Sequence, residues 1–171
     1  VPLSVWQMSK EHNLGIFEAG ISKPNEMCKL ANIIRPNIGI LTNIGMAHAQ
    51  FFENDKQKIN EKLQLFKDCG TLIFHDDNEL IYNTLQEKEY THLRKISWGS
   101  ARAVYPIENR KAENDHTLLT INGFQYSIPF LDAASLENAT HVIITMLTLG
   151  IAPKTINGRL PRLSQISMRM E

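Results

Sequence analysis

Cysteine is scarce in this chain: Cys28 and Cys69 are the only two in 171 residues. Two are too few for a disulfide framework, and they lack metal-ligand spacing, so a reducing, cytosolic setting is expected. Net charge is missing too. Eighteen Lys and Arg balance eighteen Asp and Glu, which argues against a nucleic-acid binder with its usual basic face. No apolar run nears the roughly 20 residues that span a bilayer, and no signal peptide is present. The common catalytic motifs are absent as well. There is no G-x-x-x-x-G-K-[ST] phosphate loop, no G-x-G-x-x-G, no G-x-S-x-G and no H-E-x-x-H. The first residue is Val1 rather than Met, and it opens a loop-like stretch. The chain is therefore expected to be a fragment of a longer protein.

What is present is ordinary for a folded domain: 43% hydrophobic and 21% charged residues. The length suits one domain with a sizeable core. Short apolar runs at 14–19 (LGIFEA), 38–42 (IGILT) and 71–74 (TLIF) lack alternation, as strands buried on both faces do. Helical stretches separate them. Ser22 is a candidate N-cap with Pro24 in the first turn. Met27, Leu30, Ala31 and Ile34 follow at helical spacing and stop before Pro36. Further helices are expected over 54–68, with Gly70 beyond the end, and over 78–86. This alternation predicts right-handed crossovers in a mostly parallel sheet.

The pattern then changes. Strand candidates at 103–107, 116–121 and 124–130 surround Asn122-Gly123, a strong hairpin signal. They predict a small antiparallel sheet attached after Ile96-Ser97-Trp98-Gly99. Leu136, Ala139, Ile143, Met146 and Leu147 then form an apolar stripe over 135–149, and a short helix is expected over 154–158.

Ligands of open parallel sheets bind beyond the carboxyl ends of the strands, so residues there carry the chemistry. Glu18 closes the first apolar run. A buried carboxylate there needs a cation or metal; the alternative is a side chain that simply reaches solvent. His48 follows a Gly-containing turn after the second run, where a lone histidine is otherwise structural or exposed. On the next helix Ile59, Leu63 and Phe66 form the buried stripe, and Lys62 falls inside it. Lys56, Lys58 and Lys67 sit elsewhere on the wheel and are expected to be solvated. Lys62 either snorkels to the edge or is desolvated, which lowers its pKa and makes the amine nucleophilic. Such an amine can capture carbon dioxide as a carbamate, an anionic oxygen ligand.

These residues also carry a family resemblance. The motifs are Gly15-Ile16-Phe17-Glu18-Ala19-Gly20, Asn25-Glu26-Met27, Arg35-Pro36, Ile40-Leu41-Thr42-Asn43-Ile44-Gly45 with Ala47-His48, and Glu61-Lys62 with Leu65-Phe66. Ser97-Trp98-Gly99, Glu137-Asn138-Ala139 before Leu149-Gly150-Ile151, and Met168-Arg169-Met170-Glu171 complete the set. In this order they resemble the central ATP-binding domain of the Mur ligases, in the branch that adds D-alanyl-D-alanine. The opening Val1-Pro2-Leu3-Ser4-Val5-Trp6-Gln7-Met8 is similar to a subgroup fused to an alanine racemase, whose pyridoxal phosphate would lie outside this chain.

The resemblance implies an α/β fold: a mostly parallel sheet flanked by helices, lacking its phosphate-loop strand, plus the small antiparallel sheet at about 103–130. Residues 1–162 would be the central domain and 163–171 a linker to a further domain. It implies that Glu18 helps hold the Mg²⁺ bound to the ATP phosphates, that His48 holds a second Mg²⁺, and that Lys62 is carbamylated in support of that second metal. Asn138 would lie near the adenine ring and Arg169 near the nucleotide. His75 stands where the family usually has Asn, so its role is open. The implied substrates are UDP-MurNAc-tripeptide and D-Ala-D-Ala, reached through flanking domains, with a cytoplasmic setting. The phosphate loop would precede Val1. The chain alone is therefore expected to have no ligase activity, to bind ATP weakly or not at all, and to leave an open sheet edge that another chain could cover. Two alternatives remain at this point: a folylpolyglutamate synthase-like ligase domain, and a non-catalytic α/β interaction module.

Overall fold

The computed structural model describes residues 1–21, 23–44 and 52–164. The helices are α1 (Pro2–Trp6), α2 (Glu26–Ile34), α3 (Asp55–Leu63), α4 (Glu79–Leu85), α5 (Ala133–Thr148) and α6 (Pro153–Asn157). The strands are β1 (Ile38–Leu41), β2 (Thr71–His75), β3 (Arg94–Gly99), β4 (Tyr105–Glu113), β5 (His116–Ile121) and β6 (Phe124–Ile128). They follow chain order in one six-stranded sheet. β3 pairs with β4 in parallel, while β4–β5 and β5–β6 are antiparallel. The result is a mixed sheet flanked by helices, with the antiparallel part continuous with the rest rather than a separate appendage. Among the described residues, no helix is long and apolar enough to cross a membrane.

The chain divides into two compact units, Val1–Leu72 with Asn78–Lys95, and Ile73–Asp77 with the residues from Ile96 onward. In the first, the Asn37 carbonyl accepts from Gly70 N and Thr71 N, and the Gly70 carbonyl accepts from Arg94 N. The starts of β1, β2 and β3 thus lie side by side, as parallel strands require. Met27, Ala31, Ile59, Leu63, Phe66, Leu72, Ile81 and Leu85 form the core. Side chains set the helix starts. Asn54 accepts from Gln57 N while Gln57 accepts from Glu53 N, a reciprocal cap. Asn78 accepts from both Leu80 N and Ile81 N.

Three expectations need correction in this unit. The run at 14–19 is not a strand, and Leu14 and Ile16 are 67% and 87% exposed. An apolar run becomes a buried strand only when neighbours supply its hydrogen bonds and cover its faces, and among the described residues β1 stands at the sheet's edge. Second, α2 starts later than Pro24. Its N-cap is Asn25, in the left-handed conformation at φ 66, which Asn tolerates better than most residues; Ser22 lies outside the described residues. Third, Lys58 is buried, at 3% exposure, rather than solvated.

The second unit packs Ile73, Phe74, Ile96, Trp98, Leu119, Ile121, Tyr126 and Ile128 with Leu136, Ile143 and Ile144 of α5. Alternation in β5 puts Thr117, Leu119 and Ile121 inside. Asn122 and Gly123, at φ 50 and 69, make the tight turn that their sequence predicts. β4 runs six residues past Ile107 although 108–113 is exposed, because its ladder with β5 carries that segment.

Candidate functional site

Two places at the carboxyl ends of strands carry chemistry, one in each unit. In the first unit, Asn43 lies two residues past β1. Its backbone carbonyl accepts from Lys62 Nζ at 2.9 Å. Lys62 is half-buried on α3, and its pKa is lowered, first by burial and then by the Lys58 ammonium one turn back. An amine in that state is richer in its neutral, nucleophilic form. The adjacent Glu61 Oε1 accepts from Met27 N at 3.2 Å, and that N–H belongs to the first turn of α2, whose cap makes no side-chain hydrogen bond. Glu18 is exposed in an irregular segment.

Among the described residues, no three His, Cys, Asp or Glu side chains gather as a metal cage. Magnesium rarely needs one. It usually takes one or two carboxylates and leaves the remaining positions to water and phosphate. An exposed carboxylate such as Glu18 fits that demand, and an amine such as that of Lys62 would fit it once carbon dioxide had made it an oxygen donor.

In the second unit, β2 ends at His75 and β3 at Gly99. The His75 ring stacks on Trp98, with centroids 3.9 Å apart and planes 8° from parallel. His75 Nε2 lies 3.1 Å from Asp77 Oδ2, and Nδ1 lies 3.9 Å from Glu137 Oε1. Trp98 Nε1 donates to His141 Nδ1 at 3.1 Å. His141 is 2% exposed, and its pKa is lowered to about 4 by burial and by the His75 charge. A cavity of about 330 Å³ opens beside this cluster. Trp98, Leu119 and Leu136 give it apolar walls, while Asp77, Arg110 and Glu137 bring charge to it. Its walls thus combine apolar surface with a few charged groups, the usual make-up of a small-molecule cleft.

One buried carboxylate builds this corner. Asp76 is fully buried and accepts from Ser100 N at 2.8 Å and from Ser100 Oγ at 2.6 Å. Arg102 Nε lies 3.4 Å from its Oδ2, and Arg102 Nη2 donates to the Asp76 carbonyl at 3.0 Å. Gly99 adopts φ +126, and a Cβ there would fall 2.6 Å from the His75 ring. Only glycine lets the two strand ends approach this closely.

The sequence-predicted residues fare differently. Lys62 is half-buried beside Ile59 and Leu63 on α3, and its amine reaches the Asn43 carbonyl two residues past β1. Glu18 reaches solvent, and no described contact joins it to Lys62. His48 and Arg169 lie outside the described residues. Asn138 is exposed on α5, while its neighbour Glu137 lines the cavity. Sequence reasoning missed Trp98, Arg110, Glu137 and Thr140 as cavity walls. The available signal was His75-Asp76-Asp77 directly after an apolar strand, where the strand-end rule applies.

The family model described as Mur ligase middle domain matches residues 1–146. Two curated relatives are UDP-N-acetylmuramoyl-tripeptide–D-alanyl-D-alanine ligases. That of Bacillus subtilis is 27% identical over 176 residues, covering 100% of this chain and 37% of its own length. That of Borreliella burgdorferi is 30% identical over 165 residues, covering 91% of this chain and 34% of its own. The chain thus spans about a third of the curated relatives it matches. Among solved structures, MurF from Acinetobacter baumannii superposes with a TM-score of 0.82 at 18% identity, over 96% of this chain and 37% of that one. MurF ligase from Thermotoga maritima in complex with ADP gives 0.69 at 18% identity, over 85% and 34%. At that identity the structures speak to the fold.

Proposed function

This chain belongs to the Mur ligase middle-domain family, and from that premise we propose that it is the nucleotide-handling part of an ATP-dependent carboxylate–amine ligase. In the proposed reaction, D-Ala-D-Ala is joined to UDP-MurNAc-tripeptide in the cytoplasm. ATP converts the tripeptide carboxylate to an acyl phosphate, and the dipeptide amine displaces phosphate. Mg²⁺, when bound, neutralises the phosphates during transfer. Glu18, His48 and Lys62 are the residues proposed to hold it.

The observation that carries this reading is the Lys62 amine. It is half-buried, donates to the Asn43 carbonyl and lies beyond a strand's carboxyl end. A neutral amine adds to carbon dioxide, forming an N–C bond and releasing one proton, and so becomes an anionic oxygen donor. The Asn43 carbonyl orients that amine. The second-unit cavity, one residue along α5 from Asn138, is where we place the adenine ring. Trp98, Leu119 and Leu136 would exclude water from it.

The test is ADP release by the polypeptide that carries this chain as its middle third, supplied with ATP, Mg²⁺, UDP-MurNAc-tripeptide and D-Ala-D-Ala. Release that needs both substrates and falls at least a hundredfold in Lys62→Ala supports the reading. Substrate-independent release, or none from a folded polypeptide, overturns it. From the likeness of Val1–Met8 to a racemase-fused subgroup we also propose a pyridoxal-phosphate-dependent alanine racemase in the same polypeptide, checked by racemisation of L-alanine.

A further inference from the structure

His75 and Glu137 both line the second-unit cavity, and each brings an unfilled acceptor to it. Asp77 sets the histidine. A carboxylate only accepts, so Nε2, 3.1 Å from Asp77 Oδ2, carries the proton. Nδ1 of the neutral ring is then left an acceptor. Packing holds the ring in that orientation. One face lies on Trp98 at 3.9 Å, and the Cδ2–Nε2 edge abuts Gly99, where a Cβ would fall within 2.8 Å of both atoms.

Glu137 is placed by several contacts of α5. Its helix neighbours Leu136 and Thr140 are 5% and 3% exposed. His141, on the same helix, takes the Trp98 indole N–H at 3.1 Å. The indole that carries the His75 ring therefore also ties down α5. The Glu137 side chain is 23% exposed, and among the described residues its one polar partner is His75 Nδ1, 3.9 Å from Oε1. That is too long for a hydrogen bond. A largely buried carboxylate facing a second acceptor lacks a donor, which is costly. One nitrogen with two hydrogens answers both groups. Set about 2.9 Å from each, its N–H bonds point within about 20° of the two acceptors. The exocyclic amine of adenine is such a nitrogen, whereas a 6-oxo purine presents an acceptor at the same position.

We propose that Glu137 and His75 determine the nucleobase specificity of this cavity: the carboxylate and Nδ1 each accept one N–H of the adenine amine, which selects 6-amino over 6-oxo purines. The inference rests on the reading of the cavity as the adenine site. Asp77 is the positioning residue, since it keeps the ring proton on Nε2. Asn138, which the resemblance puts near the adenine, is exposed one residue along. His75, whose role its sequence position left open, becomes half of the recognition pair.

The test compares ATP with ITP, its 6-oxo counterpart, as kcat/KM for nucleoside diphosphate release by the polypeptide that carries this chain. Assays run at about pH 8, where an ordinary imidazole is neutral. The parent should prefer ATP about ten- to a hundredfold, the worth of a hydrogen bond to a charged group. Glu137→Gln supplies an amide that can donate to a 6-oxo oxygen, so the preference should shrink to about threefold or less, ITP gaining as ATP loses. Glu137→Ala should narrow it through ATP alone. A structural role would lower both nucleotides alike and leave the ratio. An unchanged ratio in folded Glu137→Gln overturns the proposal, and so does a parent that uses both nucleotides equally. A parent that turns over neither overturns the ligase reading, and saturation-transfer NMR of the purified chain with adenosine and inosine then decides this one. Stronger transfer to adenosine in the parent, lost in Glu137→Gln, upholds it. Equal transfer in the parent, or none to either nucleoside, overturns it.

Discussion

Lowering the pH from 7 to 5 should cost this protein stability through one histidine. His141 accepts the Trp98 indole N–H on Nδ1, so its neutral ring carries the proton on Nε2, a buried atom with no hydrogen-bond partner among the described residues. A second proton would have to sit on Nδ1 and face the indole donor. Burial and the His75 charge oppose it further, and the folded ring titrates at about 4 instead of 6.5. In the unfolded chain the ring takes its proton as pH falls through about 6.5. Between those values the unfolded state binds the extra proton, so stability falls with pH. The loss is complete only below about 4. The full effect is about 3 kcal/mol, with about 2 kcal/mol of it reached at pH 5. Urea unfolding at pH 7 and pH 5, followed by circular dichroism, measures this in the parent and in His141→Asn. Asparagine offers the indole an acceptor but does not titrate. Carboxylates contribute equally to both proteins and cancel. The parent should lose about 2 kcal/mol more than the variant over that interval. Equal losses in the two would refute the assignment.

Further outcomes follow from the same corner and from the helix caps. Asp76→Ala strips Ser100 N, Ser100 Oγ and Arg102 of their acceptor and should cost about 3 kcal/mol in urea unfolding; Asp77→Ala, at an exposed carboxylate, should cost well under 1 kcal/mol. Gly99→Ala should cost at least about 2 kcal/mol, since it combines φ +126 with a Cβ driven against His75, and thermal melts would show the drop. Asn78→Ala removes the side-chain acceptor of two N–H groups at the start of α4 and should cost about 1 kcal/mol. Calorimetry with ATP and Mg²⁺ should find no micromolar affinity, because these 171 residues hold no phosphate loop.

Much of the fold was legible because its signals are local. Apolar runs marked β1 and β2, Asn122-Gly123 marked the β5–β6 turn, and helices expected from residues 54 and 78 begin there, capped by Asn54 and Asn78. The failures share a cause, which is that burial depends on neighbours. Residues 14–19 are as apolar as a core strand, yet Leu14 and Ile16 lie in the open. Lys58 looks polar on the helical wheel and is inside. The charged 108–113 segment has no strand pattern of its own, and its partner β5 makes it one. Leu136, Ala139 and Ile143 of the α5 stripe are buried as their spacing predicts, whereas Met146 and Leu147 are only partly so and Thr140, His141 and Ile144 join the buried face. His141 is inside because Trp98, distant in sequence, supplies its hydrogen bond. Of the candidate site, helical spacing marks Lys62 only as a lysine inside an apolar stripe. The cavity walls could not be read from spacing, because they come from β2, β3, β4, β5 and α5.

Parallel neighbours ordinarily need a dozen or more residues to return the chain to the same direction. Here β4 leaves β3 after only residues 100–104 and overlaps it for two pairs, Trp98 with Tyr105 and Gly99 with Pro106. The knot around Asp76 makes so short a return tenable. The hairpins from β4 to β6 are therefore not a portable cassette. Grafted into another scaffold without the tip of β2, they would arrive with a loop whose Ser100 and Arg102 had lost the Asp76 acceptors that hold it.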